Sequence, residues 1–559
     1  MANKKKTPTF IHEIPLKTTP SDEAILDVRL DAARNLYNAC LREALRRLDL
    51  MRESKLYQSA RTLPKGDARD QVFKACRNNY EFSEYSLHSF SKQICKPCWI
   101  GDHLDSQPIQ KVATRAFKAV EQYAYGKKGR PRFKRKGWFT SVEGKQSTAC
   151  IRWNDGRVLW NGLDLEPLFD LKDKYGVEAH ALSCHVKYLR LVKRVIKSQN
   201  RWFVQLVLDG LPLRKTKNTI SQNTCGLDIG PSTIAAAGEN DAFLSQFCDE
   251  VVQPWKEIRR EQRAQDRSRR ATNPDNYNDD GTVKKGSRKW NRSNRYKKRQ
   301  KRIAECQRTL AATRKKQHGE MCNKILSIGN IIKTEKLSYK SFQKNYGRSV
   351  AVRAPGMLVE QLIRKAENAG GRVEDINTRK TKLSQTCICG AVVKKPLKQR
   401  HHSCICGAKS QRDLFSAYLA KHCTDNTLDI HQAKSAWPAA EPLLRRAISR
   451  ITETANRRLL PASFGVSRRQ SCSPVENGSI FIEVADVVAC KGESREEMID
   501  LAVRTPWLSY GEVQNTPGWK LFDLACCRVP SLPLAFLADF KLPEPRNQHV
   551  ITRFKRLFD

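Results

Sequence analysis

Two near-identical heptapeptides, QTCICGA at 385–391 and HSCICGA at 402–408, constrain this chain more than any other feature. Each is a Cys-x-Cys-Gly unit, and fourteen residues lie between Cys389 and Cys404. A glycine behind the second cysteine lets the backbone turn back. Two such units can then close four thiolates around one tetrahedral ion. The pattern predicts one structural Zn2+ held by Cys387, Cys389, Cys404 and Cys406. The bite is one residue shorter than the usual Cys-x-x-Cys, which leaves His401 or His402 as an alternative to one sulfur. Cys95 and Cys98 have no second pair nearby and read as structural thiols.

The rest of the chain is dominated by positive charge. Its 559 residues carry 102 Lys and Arg against 58 Asp and Glu, a net of +44. Charge at that density seeks a polyanion, either nucleic acid or an anionic membrane surface. No apolar run approaches the roughly 18 residues of a spanning helix, which disfavours a membrane role. The first ten residues, MANKKKTPTF, have charge but no apolar core, so no secretion signal is expected and the predicted location is the cytoplasm. Nineteen cysteines in a reducing compartment then read as thiols or metal ligands. Basic residues concentrate in two stretches. One is GKKGRPRFKRKG at 126–137, with Lys127, Lys128, Arg130, Arg132 and Lys134. The other is 251–325, with 23 Lys and Arg against 8 acids; it includes Arg292, Arg295, Lys298 and Arg302. These nine are the candidate phosphate contacts, although any one lysine or arginine alone reads as part of a solvated face. Trp138 and Phe139 could stack on bases or belong to a core.

Periodicity gives a coarse fold. A short strand at 8–19 precedes a helix from near Ser21, and 67–125 is helical again. From 148 to 212 the pattern alternates as in strands, with turns at Asn154-Asp155-Gly156 and at 198–200, which predicts a small antiparallel barrel or sheet. Residues 251–325 predict a helical hairpin around a polar insert at 271–290. Strand, helix and strand then follow from 326 to 377 in α/β order. Patterning is loose after about 430.

Three acids stand out. In CGLDIGPSTIAAAG (225–238), Asp228 faces away from Leu227 and Ile229 on a core-like strand, where a charge is expensive unless paired or bound to metal. Glu335 closes the apolar strand IIKTE, and Asp413 enters the helix RDLFSAYLAKH. Taken singly, they read as an exposed edge-strand residue, an exposed strand end and a helix N-cap.

Their order carries more. Asp228, a basic helical insert, Glu335, a helix, a strand, four cysteines and Asp413 together resemble the split RuvC nuclease core of TnpB proteins and compact type V CRISPR effectors. The matching segments are GLDIG, TEKL, LSQTCICG with HSCICGA, and RDLFSA; ARNLYNACL and GRPRFKRK resemble the family's N-terminal parts. The family's last motif reads Asp-Arg-Asp-x-Asn-Ala-Ala, and here Gln411 and Phe415 replace its first Asp and its Asn. The resemblance covers about residues 8–423.

The resemblance implies an α/β multidomain fold. It comprises an RNase H-like (RuvC) core at 223–250, 326–380 and 409–430, a wedge-like β-barrel at 1–24 and 139–222, and a helical recognition domain at 25–138. The basic hairpin occupies 251–325, an inserted zinc ribbon 381–408, and a tail 431–559. It further implies Asp228, Glu335 and Asp413 holding two catalytic Mg2+ ions. The activity implied is hydrolysis of DNA that pairs with a guide RNA beside a short adjacent motif, leaving a 5′-phosphate, in a prokaryotic cytoplasm and on the nucleoid. The tail is expected to be dispensable for the chemistry. Two other classes fit the same residues: a catalytically weakened or dead guided DNA-binding protein, acting as repressor or targeting module, and a transposition accessory protein or transposase.

Overall fold

Thr19 opens the first long helix. Its side chain accepts the Asp22 amide at 3.2 Å while the Asp22 carboxylate accepts the Thr19 amide at 2.9 Å. This reciprocal cap starts the helix at Pro20, one residue before the expected position. The computed structural model describes residues 7–465, apart from 253, 287, 397, 455–459 and 461. The part of the tail from 466 to 559 lies outside the described residues.

Seven strands, β1 (Thr9–Lys17), β2 (Ser141–Glu143), β3 (Arg152–Asn154), β4 (Arg157–Trp160), β5 (Leu163–Pro167), β6 (Val186–Ile196) and β7 (Gln199–Asp209), form one antiparallel sheet. The order β2-β6-β7-β1-β5-β4-β3 leaves an open half-barrel where a barrel or sheet was expected. The β3–β4 turn falls at Asp155-Gly156, both with positive φ, as predicted. The β6–β7 turn sits at Lys197-Ser198, earlier than the predicted 198–200, because Gln199 already pairs with Ile196. Helices α1 (Pro20–Glu53) and α2 (Ser106–Ala124) pack against this sheet in one continuous core that includes Ile14, Leu36, Trp160 and Trp202. Arg29 is buried within it. Its guanidinium lies 4.4 Å from the Trp160 ring centroid and donates to the Trp160 carbonyl at 2.7 Å, so the charge is both stacked and hydrogen-bonded.

The second sheet has five strands: β8 (Thr224–Ile229), β9 (Thr233–Ala237), β10 (Ala242–Gln246), β11 (Ile331–Glu335) and β12 (Arg372–Ile376). Their order is β10-β9-β8-β11-β12. β9 runs antiparallel to both β8 and β10, and β11 runs parallel to both β8 and β12. β8 is therefore the central strand, not an edge. Between β10 and β11 the chain makes the expected hairpin, α3 (Trp255–Thr272) and α4 (Asn294–Leu326). Cys225, Leu227, Ile229 and Ile332 bury one face of the sheet against α4 and α5 (Pro355–Asn368).

The other face is covered by α6 (Arg412–Lys421). Gly226 makes that possible: a Cβ there would meet the Ala417 carbonyl oxygen at 1.9 Å, so only glycine lets the helix lie directly on β8. The core on this face continues past residue 430. Trp437, Leu444 and Phe464 join Leu414, Phe415 and Tyr418, bringing α7 (Trp437–Thr454) and the turn Ala462–Phe464 into the same packed unit. The expected tail thus begins inside a core. Its loose sequence pattern hid this: α7 is interrupted by Pro442, and its burial is carried by Trp437, Ala440, Leu444 and Ala447, two of them only alanines.

Candidate active site and metal centre

Alternation along β8 sends Asp228 to the face opposite Leu227 and Ile229, beneath α6. The parallel pairing of β11 with β8 runs as far as Thr334 opposite Leu227, one residue short of Glu335 and Asp228. The Thr334 hydroxyl donates to the Leu227 carbonyl at 3.0 Å and pins that register. The Asp228 carboxyl is held well above its ordinary value, first by burial, then by the charges of Asp413 and Glu335; Arg412 and Arg400 pull the other way. Burial also raises Glu335. Three acids from separate parts of the chain therefore share one electrostatic neighbourhood, and each remains half-buried and open to solvent. Ionising all three together is costly even with Arg400 and Arg412 close by, a cost that a hard divalent cation would offset.

The helix cap is not where the sequence suggested. Gln411, fully buried, is the N-cap of α6: its Oε1 accepts the Leu414 amide at 2.8 Å. Asp413 is thereby released from capping. It accepts the Thr233 hydroxyl at 3.1 Å and faces the Arg400 guanidinium at 3.9 Å. Phe415 is also committed to structure: its ring stacks on His402 at 3.9 Å and meets Trp437 edge-on at 5.4 Å. Gln411 and Phe415 thus serve capping and packing, and the acid between them stays available. Thr233, Arg400 and the capping role of Gln411 were not foreseen, since nothing local in the sequence marks them.

The four cysteines converge as predicted. Their sulfurs all lie within 4.8 Å of one another, with Cys387–Cys406 at 3.5 Å and Cys389–Cys404 at 3.6 Å. A tetrahedron of Zn–S bonds near 2.3 Å has edges of about 3.8 Å, so the set fits zinc. The two knuckles are built alike. Cys387 and Cys404 donate to Ala391 and Ala408, and Gly390 and Gly407 turn back with φ of +85° and +90°. Neither histidine takes a sulfur's place. His401 bonds the Gly465 carbonyl, while His402 lies behind Cys387, 3.2 Å from its Sγ, with its pKa pushed down to about 4 by burial and by Lys395. Among the described residues no other three or more Cys, His, Asp or Glu side chains gather so tightly. The three acids are spread more widely than one ion's shell.

The candidate phosphate contacts are all exposed, as expected. Arg130 pairs with Asp49 at 3.1 Å and Arg302 with Glu261 at 3.5 Å, which mutes those two. Trp138 is 69% exposed, whereas Phe139 is core, beneath Arg115. A stronger feature lies on α3. Lys256, Arg259, Arg260, Arg263 and Arg267 follow helical spacing and line a cavity of about 400 Å³. None of the five has an ion-pair partner among the described residues.

The comparisons with known proteins bear on this arrangement. Residues 356–419, which run from α5 through the cysteine knuckles into α6, match the Cas12f1-like TNB domain. The match supports a compact type V effector or TnpB-like family. The chain is also similar to the protein in a cryo-EM Cas12f1–sgRNA–target DNA complex, at 12% identity over 74% of this chain and 98% of that one, with a TM-score of 0.37. A CRISPR-Cas12f ternary complex gives the same identity and coverage with a TM-score of 0.24. No curated protein matches the chain. No helix among the described residues is long and apolar enough to cross a membrane.

The electrostatics make a stability prediction for the metal-free protein. A carboxyl whose pKa is raised by folding binds its proton more tightly in the native state, so ionising it lowers stability as pH rises above the ordinary 3.8. Asp228→Asn removes that penalty and keeps the shape. In EDTA at pH 7 it should stabilise the protein by about 1–3 kcal/mol, with the gain shrinking as pH falls toward 4. Melting curves across pH check this; a variant that melts below the parent at pH 7 would contradict it.

Proposed function

We propose that this chain is an RNA-guided DNA endonuclease with a RuvC-type, RNase H-like core formed by 223–250, 326–380 and 409–430. The observation that carries the reading is the meeting of Asp228, Glu335 and Asp413 on one face of a mixed five-stranded sheet. The Cas12f1-like match over 356–419 includes Asp413, though not Asp228 or Glu335, and supports the reading. In this reading 1–24 with 139–222 form the wedge, 25–138 the recognition domain and 381–408 a zinc ribbon.

The three acids would hold two Mg2+ ions, for which their wider spread is suited. Bound there, the pair supplies an activated water and stabilises the leaving oxygen of a phosphodiester. The protein's own groups do the positioning. Thr233 and Arg400 orient the Asp413 carboxylate, Gln411 fixes the first turn of α6, and Gly226 sets the depth of that helix over Asp228. The zinc knuckles fix His402, on which Phe415 stacks, and so hold the start of α6 from the other side.

Guide RNA and target DNA are the proposed partners. Backbone contacts would come from the basic surface and sequence specificity from base pairing. Nicking and linearisation of a plasmid matched to the RNA that co-purifies with the protein test the reading. Cutting should require both that RNA and a divalent ion. Absence of cutting at every Mg2+ and Mn2+ concentration would replace it with a guided binder.

The α3 stripe gives a separate prediction. Changing Lys256, Arg259, Arg260, Arg263 and Arg267 to Gln should weaken binding to all sequences alike. Each lost phosphate contact should flatten the dependence of log affinity on log salt by about 0.9 for a duplex and about 0.7 for a single strand. Altered sequence preference at unchanged affinity would contradict a backbone role. Charge reversal at Arg292, Arg295, Lys298 and Arg302 should act in the same direction, least at Arg302, which already has a carboxylate partner.

A further inference from the structure

The turn at Ala462–Gly465 touches two of the three parts of the chain that present the acids, those of Asp228 and Asp413, and the family likeness stops well before it, at about residue 423. Gln411 offers its oxygen to the Leu414 amide, so its buried amide nitrogen must find an acceptor elsewhere; the Ser463 carbonyl provides one at 3.2 Å. The Ser463 hydroxyl lies 2.9 Å from that of Ser232, in the β8–β9 turn between Asp228 and Thr233. Phe464 is buried in the core that holds Phe415 and Trp437. The Gly465 carbonyl accepts from His401 at 2.9 Å, beside Arg400, the residue that faces Asp413.

From these contacts we infer that Ser463 is a positioning residue. It clamps the Asp413 helix cap to the Asp228 turn and so sets the separation of the two carboxylates. The inference rests on the nuclease reading. It has a clear physical basis: a side-chain amide can flip, and Gln411 caps α6 only while its nitrogen has a partner. Removing that acceptor leaves a buried donor unpaired and favours a rearrangement that releases the Leu414 amide. It also reverses the expectation that everything after 430 is dispensable, since the clamp lies at 462–465.

Gly465 allows a test that leaves every proposed metal ligand in place. Its φ is +73°, and a Cβ there would meet Arg400 Cβ and His401 Nε2 at 2.9 Å, so Gly465→Ala should push the turn off its seat. Ser463→Ala removes the hydroxyl link alone, and Ser463→Thr keeps a hydroxyl. All three are made in the full chain with its own guide RNA. Two quantities are read: hydrogen exchange of peptides covering 411–418, and single-turnover cutting with target affinity measured alongside.

Gly465→Ala should speed exchange in 411–418 by about fivefold, the loss of one helix cap. It should slow cutting at least about tenfold by misplacing Asp413, with target affinity unchanged. Ser463→Ala should show a smaller effect in the same direction, and Ser463→Thr should restore cutting. Unchanged cutting in both Gly465→Ala and Ser463→Ala, whatever the exchange shows, overturns the positioning role while the parent still cuts. Lost affinity in proportion to lost cutting overturns it too. A parent that never cuts brings down the nuclease reading itself, a distinct outcome.

Discussion

Asp228→Ala should reduce cutting by at least about 10³-fold while guide and target binding stay within about twofold of the parent. Carboxylates that hold catalytic ions contribute little to affinity, which for a chain of net +44 comes from phosphate contacts and base pairing. Deleting a negative charge from a basic surface should, if anything, tighten binding slightly. Asp228 is the strongest test of the three acids because it lies on the central strand and feels both of the others. Glu335→Ala and Asp413→Ala should behave alike, and double variants should be little worse than single ones, since the acids act as a unit. Rates are read on a plasmid target with binding followed separately. An Asp413→Ala enzyme that cuts normally beside a dead Asp228→Ala would show that the third acid lies elsewhere.

The same residues show which contacts a sequence can announce. Asp228 was legible because period-two alternation separates it from Leu227 and Ile229, and a strand surface obeys that period whatever surrounds it. The knuckles were legible because the chelating thiols and the turning glycine are neighbours in the chain. Capping misled, because Asp413 sits where an N-cap could be. Gln411 reaches the Leu414 amide only because its longer side chain is held from behind by Ser463, 52 residues away in sequence. The half-barrel and the five-stranded sheet came through as strand content and α/β order, but their strand orders did not. Order is set by which faces meet, and in the second sheet by Gly226 admitting α6. The α3 stripe was visible as charge and missed as a site, since only the folded hairpin shows which of its cations lack carboxylate partners.

Removing the metal from the knuckles should have the largest effect on structure. The parent should contain about one zinc per chain, and Cys389→Ser with Cys404→Ser should contain none. Zinc held by such thiolates contributes roughly 10–16 kcal/mol to the folding of small metal domains, far more than the few backbone bonds within 385–408 can supply. The double variant should therefore lose order locally while both sheets persist: the core of the first sheet and the α4/α5 face of the second contain no knuckle residue, and only the α6 face shares Cys387, Ile388 and Ala408. Protease sensitivity should appear in 385–408 with little change in overall helix and strand content. The damage should spread in one direction. His402 lies against Cys387 and stacks on Phe415 in the first turns of α6, so freeing the knuckle unseats the helix that carries Asp413. Cutting should consequently fall in the variant even though no proposed ligand of the catalytic ions has been touched, and added Zn2+ should not restore it. Metal analysis and limited proteolysis on the same samples decide the matter: a parent without zinc, or a zinc-free variant whose 385–408 segment resists protease as the parent does, would remove the metal from the account of this site.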